Sequence, residues 1–147
     1  MNILVSACLL GEYSKYNGDD DFCSKIPELA NDHKVIAVCP EVLGGLPVPR
    51  HPAEICDGVV TAVDGTVVDS EFREGAENAL VIGKENMAEL AILQPRSPSC
   101  GCRQVYDGTF SKRLIDGKGV FAQLLADNSI KAVDADEFVL HPEEYLR

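Results

Sequence analysis

The sequence predicts an α/β domain with a mainly parallel sheet. Short aliphatic runs recur along the chain: Ile3 to Ala7, Lys34 to Val38, Glu89 to Leu93 and Ile130 to Val133, each the length of a buried strand. Segments with helical spacing or helix-start chemistry alternate with them, the pattern that lays helices over a parallel sheet. The hairpin signal is confined to Gly58 to Val68, where Asp64-Gly65 separates β-branched runs.

Ile3-Leu4-Val5-Ser6-Ala7 reads as the first strand and is followed by a polar segment, Gly11 to Asp21. The acidic cluster Asp19-Asp20-Asp21 suits a helix start, because carboxylates favour the positive N-terminal end, and the predicted helix runs through Ala30. Pro27 fits it only if the helix starts late or is interrupted there. The second strand, Lys34 to Val38, enters Cys39-Pro40-Glu41 and then a breaker-rich loop, Gly44 to Pro52. So many glycines and prolines forbid regular structure, and long ordered loops of this kind usually carry function.

The predicted hairpin pairs Gly58–Val63 with Thr66–Val68 through Asp64-Gly65. Asp69 or Ser70 is the expected cap of a helix to about Met87, with Phe72, Ala76, Ala79, Leu80 and Gly83 on its inner face. The third strand leads into a second loop of breakers, Gln94 to Cys102. Tyr106 to Phe110 reads as a turn, Gly119 to Ala126 as a helix, and Asp136 to Tyr145 as a terminal helix or irregular segment. The expectation is one domain over residues 1–147: a Rossmann-like, mainly parallel sheet flanked by helices, with a β-hairpin insertion.

Composition narrows the function. Hydrophobic residues make up 46% and charged residues 25%, which is globular, and the formal net charge is −11. Such an acidic chain with no basic run repels phosphate backbones, so no nucleic-acid partner is expected. Met1 to Leu10 is too short to span a bilayer and lacks the basic start and cleavage site of a secretory signal, so the expectation is a cytoplasmic protein with no membrane partner. Nothing in the sequence sets an oligomeric state.

There are six cysteines, Cys8, Cys23, Cys39, Cys56, Cys100 and Cys102. Without an export signal, such a set points to metal binding or chemistry rather than disulfides, although a lone cysteine is ordinarily a small buried hydrophobe. The chain contains no pair of C-x-x-C knuckles, which argues against a zinc ribbon. Cys8, Cys39 and Cys100 each follow a predicted strand. In a parallel sheet those ends share one edge, where ligands bind, so the three are expected to converge. Three thiolates suit a soft metal or an iron–sulfur cluster, and a four-iron cluster with three protein ligands keeps one iron open as a Lewis acid.

Two rival motifs are weak. A thiol phosphatase needs C-x5-R, but Ser14 and Gly45 stand six residues after Cys8 and Cys39. Gly117-Lys118-Gly119-Val120-Phe121-Ala122 fits G-x-G-x-x-A but follows no strand directly, so it reads as a turn and helix start rather than a dinucleotide site.

Three motifs in order resemble the thiouracil desulfidase family: Ser6-Ala7-Cys8-Leu9-Leu10-Gly11; Cys39-Pro40-Glu41 with Gly44-Gly45-Leu46-Pro47 and Pro49-Arg50; and Ser97-Pro98-Ser99-Cys100-Gly101. Tyr106 to Phe110 and Gly119-Val120 also fit, and the resemblance reaches to about residue 133. It implies a small α/β enzyme with a [4Fe-4S] cluster on Cys8, Cys39 and Cys100. It further implies non-redox, hydrolytic replacement of the sulfur of a thiolated pyrimidine, such as thiouracil, by oxygen. Ser97 carries over as a residue near the substrate, and Glu41 is the candidate carboxylate for proton handling. One departure is Ser14-Lys15-Tyr16-Asn17-Gly18, where many relatives have Cys-Arg-Tyr-Asp-Gly; the missing cysteine is not among the expected ligands.

Among the remaining residues, Arg50 reads as a forked donor to an oxygen or anion, or as one half of an ion pair. His51 reads as a loop residue, and Cys102 as a spare ligand, a sulfur relay or, the favoured reading, a bystander. A second functional class stands beside the enzyme: a non-catalytic binder of a metal or iron–sulfur cluster, for storage or sensing. Such a protein needs ligands but neither a pocket nor a proton donor.

Overall fold

The computed structural model describes residues 1–11 and 25–146. Four parallel strands form the main sheet: β1 (Asn2–Ser6), β2 (Lys34–Val38), β5 (Leu90–Leu93) and β8 (Lys131–Asp134), in the order β2-β1-β5-β8. Central β1 pairs on both sides, with Val5 beside Ala37 of β2 and Ile92 of β5. The chain therefore winds outward in one direction to β2 and in the other through β5 to β8. The switch point falls between β1 and β5, the place where such sheets open a crevice for ligands.

Alternation along the buried strands builds a core on each face. Leu4, Ala91 and Leu93 point to one side, against α2 (Asp69–Glu85) and α3 (Val120–Asp127), where Phe72, Leu80, Phe121 and Leu125 are buried. Ile3, Val5, Leu90 and Ile92 point to the other, against Leu9, Ile26 and Phe138 of α4 (Ala135–Leu140). The predicted inner face of α2, Phe72, Ala76, Ala79, Leu80 and Gly83, is buried throughout.

Several expectations need correction. The segment Asp19–Asp21, together with Ser14–Gly18 and Cys23, lies outside the described residues; from Pro27 to Asn31 the chain makes a 3-10 turn with Pro27 in its first position. Thus the late start is the part of the helix reading that is seen, and it follows from proline's fixed φ and missing N–H. Asp69 is not the cap of α2: Val68 holds that position, and the Asp69 carboxylate accepts the backbone N–H of Val60 at 3.0 Å instead.

The hairpin is displaced by one strand. β3 (Ala53–Cys56) and β4 (Val59–Ala62) pair antiparallel through Asp57-Gly58, both at positive φ as a tight hairpin turn demands. The Asp64-Gly65 turn also forms, but it returns the chain for only one bridge, Thr61 to Val67. A second ribbon, β6 (Gln104–Tyr106) with β7 (Leu114–Asp116), encloses the predicted turn at Tyr106–Phe110. The breaker-rich loop from Gly44 to Pro52 carries no regular structure, but a short helix, α1 (Pro40–Leu43), precedes it.

The position of α1 sets that of Glu41. A Cβ on Gly44 would strike the carbonyl of Glu71 in α2, and a Cβ on Gly75 that of Pro40, so only glycine at both positions permits this backbone contact. Asn78 of α2 adds a hydrogen bond from Nδ2 to the Leu43 carbonyl at 3.0 Å.

Candidate active site

The C-terminal ends of the parallel strands open into a cavity of about 810 Å³, within the usual range for small-molecule sites. Cys8, Cys39, Cys100, Glu41 and Ser97 all line it. Cys8 follows β1 in a 3-10 turn, Ala7–Leu10, and Cys39 is the residue between β2 and α1. Cys100 sits in the loop after β5. Cys8 and Cys100 are each 4% exposed, while Cys39 is half-buried. The strand-end argument therefore brings the three predicted ligands into one place.

The Cys100 loop is held from two sides. The N–H groups opening α3 point into it: Val120 donates to the Pro98 carbonyl at 2.8 Å, and Phe121 and Ala122 donate to that of Ser99 at 2.8 and 3.1 Å. Gly119 donates to Gly101 at 2.8 Å. The donors that a phosphate would need at this G-x-G-x-x-A are thus already engaged, in keeping with a turn and helix start. From the other side, the buried carboxylate of Asp134, at the end of β8, accepts the Cys102 N–H at 2.8 Å and the Arg103 Nε at 3.0 Å.

Within the cavity a chain of hydrogen bonds runs through three side chains. The Ser97 Oγ accepts the backbone N–H groups of Ser99 and Cys100, each at 3.1 Å, from the loop side. Its own hydrogen then goes to the Ser99 Oγ, 2.9 Å away, and Ser99 in turn donates to Glu41 Oε2 at 2.9 Å. The other carboxylate oxygen, Glu41 Oε1, receives Arg50 Nε at 3.1 Å and Nη2 at 2.9 Å. Arg50 is therefore the partner of Glu41: the two side chains are only 7% and 15% exposed, and the arginine also donates to the Pro47 carbonyl at 3.0 Å.

Burial pushes the Cys100 thiol up to about 12; the neighbouring Ser6 and Ser99 hydroxyls oppose the shift, while nearby Cys39 and Glu41 add to it. Metal ligation would supply the stabilisation that such a thiolate needs. Burial also raises the Cys102 thiol, reinforced by Asp134, but Cys102 does not line the cavity. Nor does Cys56, whose Sγ lies 3.3 Å from the Gly108 carbonyl. His51 stays on the loop, 3.6 Å from Asp64.

The donor set fits an iron–sulfur cluster. Among the described residues, no three His, Cys, Asp or Glu side chains converge closely enough for a single metal ion. A four-iron cluster places each thiolate on a separate iron, so its ligands stand around a volume rather than a point, as Cys8, Cys39 and Cys100 stand around this cavity.

Sequence reasoning missed Ser6, Gln94 and Ser99. Gln94 follows β5 as directly as Cys39 follows β2, so the strand-end rule that found the cysteines reaches it too. Ser99 carried a signal in its Ser-x-Ser spacing with Ser97. Ser6 had none beyond closing the first strand.

Fold and site together define a small α/β protein with a thiol-lined cavity at the switch point of a parallel sheet. Residues 3–137 match the model of the 2-thiouracil desulfurase family, and the chain belongs to that family. The solved structure of the [4Fe-4S]-dependent thiouracil desulfidase TudS superposes with a TM-score of 0.89 at 36% identity, over 95% of this chain and 93% of that one. The uncharacterized protein YbbK of Bacillus subtilis (strain 168) is 40% identical over 146 residues, 92% of this chain and 96% of its own length. No helix among the described residues is long and apolar enough to cross a membrane.

Proposed function

We propose that the chain is a single desulfidase domain that replaces the sulfur of thiouracil, or of a related thiolated pyrimidine, by oxygen from water, using a [4Fe-4S] cluster on Cys8, Cys39 and Cys100. The observation that carries this is the meeting of three cysteines and the Ser97–Ser99–Glu41 chain in one cavity. Storage of a cluster needs only the thiolates; a pocket with an ordered proton path beside them suits turnover.

When bound, the cluster supplies Lewis-acid affinity for sulfur. The protein supplies the rest. Ser97 presents a hydroxyl whose hydrogen is directed away from the loop backbone and toward Ser99, so it is oriented to pass a proton along that line. Ser99 connects it to the Glu41 carboxylate, which takes up the proton drawn from the attacking water and returns one to the departing sulfur. Arg50 holds Glu41 in place and balances its charge. The net reaction exchanges sulfur for oxygen and leaves no change in redox state.

The test is anaerobic reconstitution with iron and sulfide, followed by assay on 2- and 4-thiouracil for uracil and hydrogen sulfide. About four irons per chain and stoichiometric uracil and sulfide are expected. A protein that takes up only zinc under iron-replete, anaerobic conditions would overturn the cofactor assignment. A fully loaded protein that leaves both thiouracils intact would overturn the substrate assignment.

A further inference from the structure

Gln94 lies beside Cys8 at the switch point of the sheet. Its carboxamide oxygen is 2.8 Å from the Cys8 Sγ, where the thiol donates to it. Its backbone N–H donates to the Oγ of Ser6, a residue only 3% exposed, at 3.0 Å. The residue is thus tied to β1 through Ser6 and aimed at the sulfur that follows the same strand.

A carboxamide suits this position because it serves both states of the sulfur. Toward a thiol it offers its oxygen. After a half-turn about its terminal bond it offers an N–H instead, and a thiolate, which can no longer donate, requires that. A carboxylate of the same shape offers only like charge to a thiolate, and an apolar side chain offers nothing. Neutrality also matters. Besides the three cysteines, the cavity is lined by Glu41, Glu54 and Asp136 and by Arg50, Arg96 and Lys112, and Arg50 is already engaged by Glu41. A neutral donor stabilises a thiolate without disturbing that pair.

Resting on the cluster reading above, we infer that Gln94 is a positioning and tuning residue: its carboxamide turns its N–H onto the Cys8 thiolate and draws charge from it. A hydrogen bond to a ligating sulfur stabilises the state carrying the extra electron and so raises the reduction potential of the cluster. The same withdrawal leaves the iron held by Cys8 poorer in electrons.

The experiment is a mediated redox titration of the anaerobically reconstituted holoprotein, followed by visible absorption and electron paramagnetic resonance. Wild type is compared with Gln94→Met and Gln94→Glu, and iron content and thermal unfolding are measured alongside. Both variants are expected to hold about four irons per chain and to titrate at a more negative midpoint potential than wild type, Gln94→Glu the lower of the two. Unchanged potentials in fully loaded variants would overturn the inference and leave the cluster reading intact. Iron loss from both variants with unchanged thermal transitions would overturn it as well, because the carboxamide would then retain the cluster rather than tune it. A wild-type protein that takes up no four-iron cluster would overturn the cofactor reading, and this inference with it.

Discussion

The Glu41 carboxylate and the Ser99 hydroxyl meet at 2.9 Å although 58 positions separate them in the chain. The bond joins the helix after β2 to the loop after β5, and through Ser99 it reaches Ser97. If the three side chains act as one path, removing any link removes the path. Ser97→Ala, Ser99→Ala and Glu41→Gln are each expected to keep the cluster and to lower desulfuration by about 10²–10⁴-fold, the usual worth of general acid–base assistance. The double variant Ser99→Ala/Glu41→Gln is expected to be little slower than either single one, since groups that act as a unit are not additive. Multiplicative losses would show that Ser99 and Glu41 work separately.

Arg50 and Glu41 form a largely buried pair, so breaking it from one side strands a charge. Arg50→Met leaves Glu41 with its Ser99 bond but without its counter-ion. A loss of about 3 kcal/mol is expected in denaturant unfolding of the cluster-free protein, at the low end for a broken buried pair. Arg50→Met/Glu41→Gln removes both charges and is expected to recover much of that stability while remaining inactive. Equal stability of Arg50→Met and wild type would show that solvent screens the pair.

The parallel sheet and its thiol-lined edge were legible because both are written in local pattern. Four short aliphatic runs mark the strands; Cys8 and Cys39 stand just beyond two of them, and Cys100 lies in the loop after a third. The displaced hairpin was harder. Asp57-Gly58 and Asp64-Gly65 are both tight-turn pairs, and what selects the first is the pairing of Ala53–Cys56 with Val59–Ala62, a choice made by packing and not by turn chemistry. The Asp69 cap failed for a similar reason: a long-range acceptor role toward Val60 displaced the local one. In the sequence, Arg50 suits a substrate donor as well as half of an ion pair, and only the placement of α1 against α2 decides for the pair with Glu41. Ser99 and Gln94 carry ordinary polar side chains whose partners lie 58 and 86 positions away, so their roles appear only once the strands are assembled.

Asp134 is 3% exposed and its two oxygens hold the segment just after Cys100. Asp134→Ala leaves the part-buried Cys102 N–H without that acceptor, which costs about 1 kcal/mol, the low end for an unpaired buried donor. A lower midpoint in thermal unfolding of the cluster-free protein is expected, together with faster iron loss from the holoprotein to a chelator. Wild-type chelation kinetics in Asp134→Ala would mean that α3 alone fixes the ligand loop.

The three cysteines that line the cavity are expected to behave differently from Cys56 and Cys23. Cys8→Ser, Cys39→Ser and Cys100→Ser are each expected to abolish retention of a full four-iron cluster. Cys56→Ser, away from the cavity, and Cys23→Ser are expected to retain it. Iron and sulfide analysis of anaerobic preparations decides each case, and a full cluster in any of the first three would show that another residue ligates.

Gly119 tests whether the packing of α3 on the ligand loop governs the site. A Cβ there would lie 2.5 Å from the carbonyl carbon of Ser99, 2.6 Å from its oxygen and 2.8 Å from the Cys100 nitrogen. All three are backbone atoms, so no rotamer change relieves the contact; either α3 or the loop must move. Overpacking of this kind costs about 1–3 kcal/mol. Movement of the loop shifts Cys100 and, through the Ser97–Ser99 turn, the hydroxyl that meets Glu41. Gly119→Ala is therefore expected to lower thermal stability, to reduce iron content below four per chain, and to lower desulfuration per remaining cluster. Gln123→Ala, on the exposed side of the same helix, is the control and is expected to match wild type in all three. Activity per cluster that stays at the wild-type value in Gly119→Ala would mean that the loop holds its serines in register independently of α3.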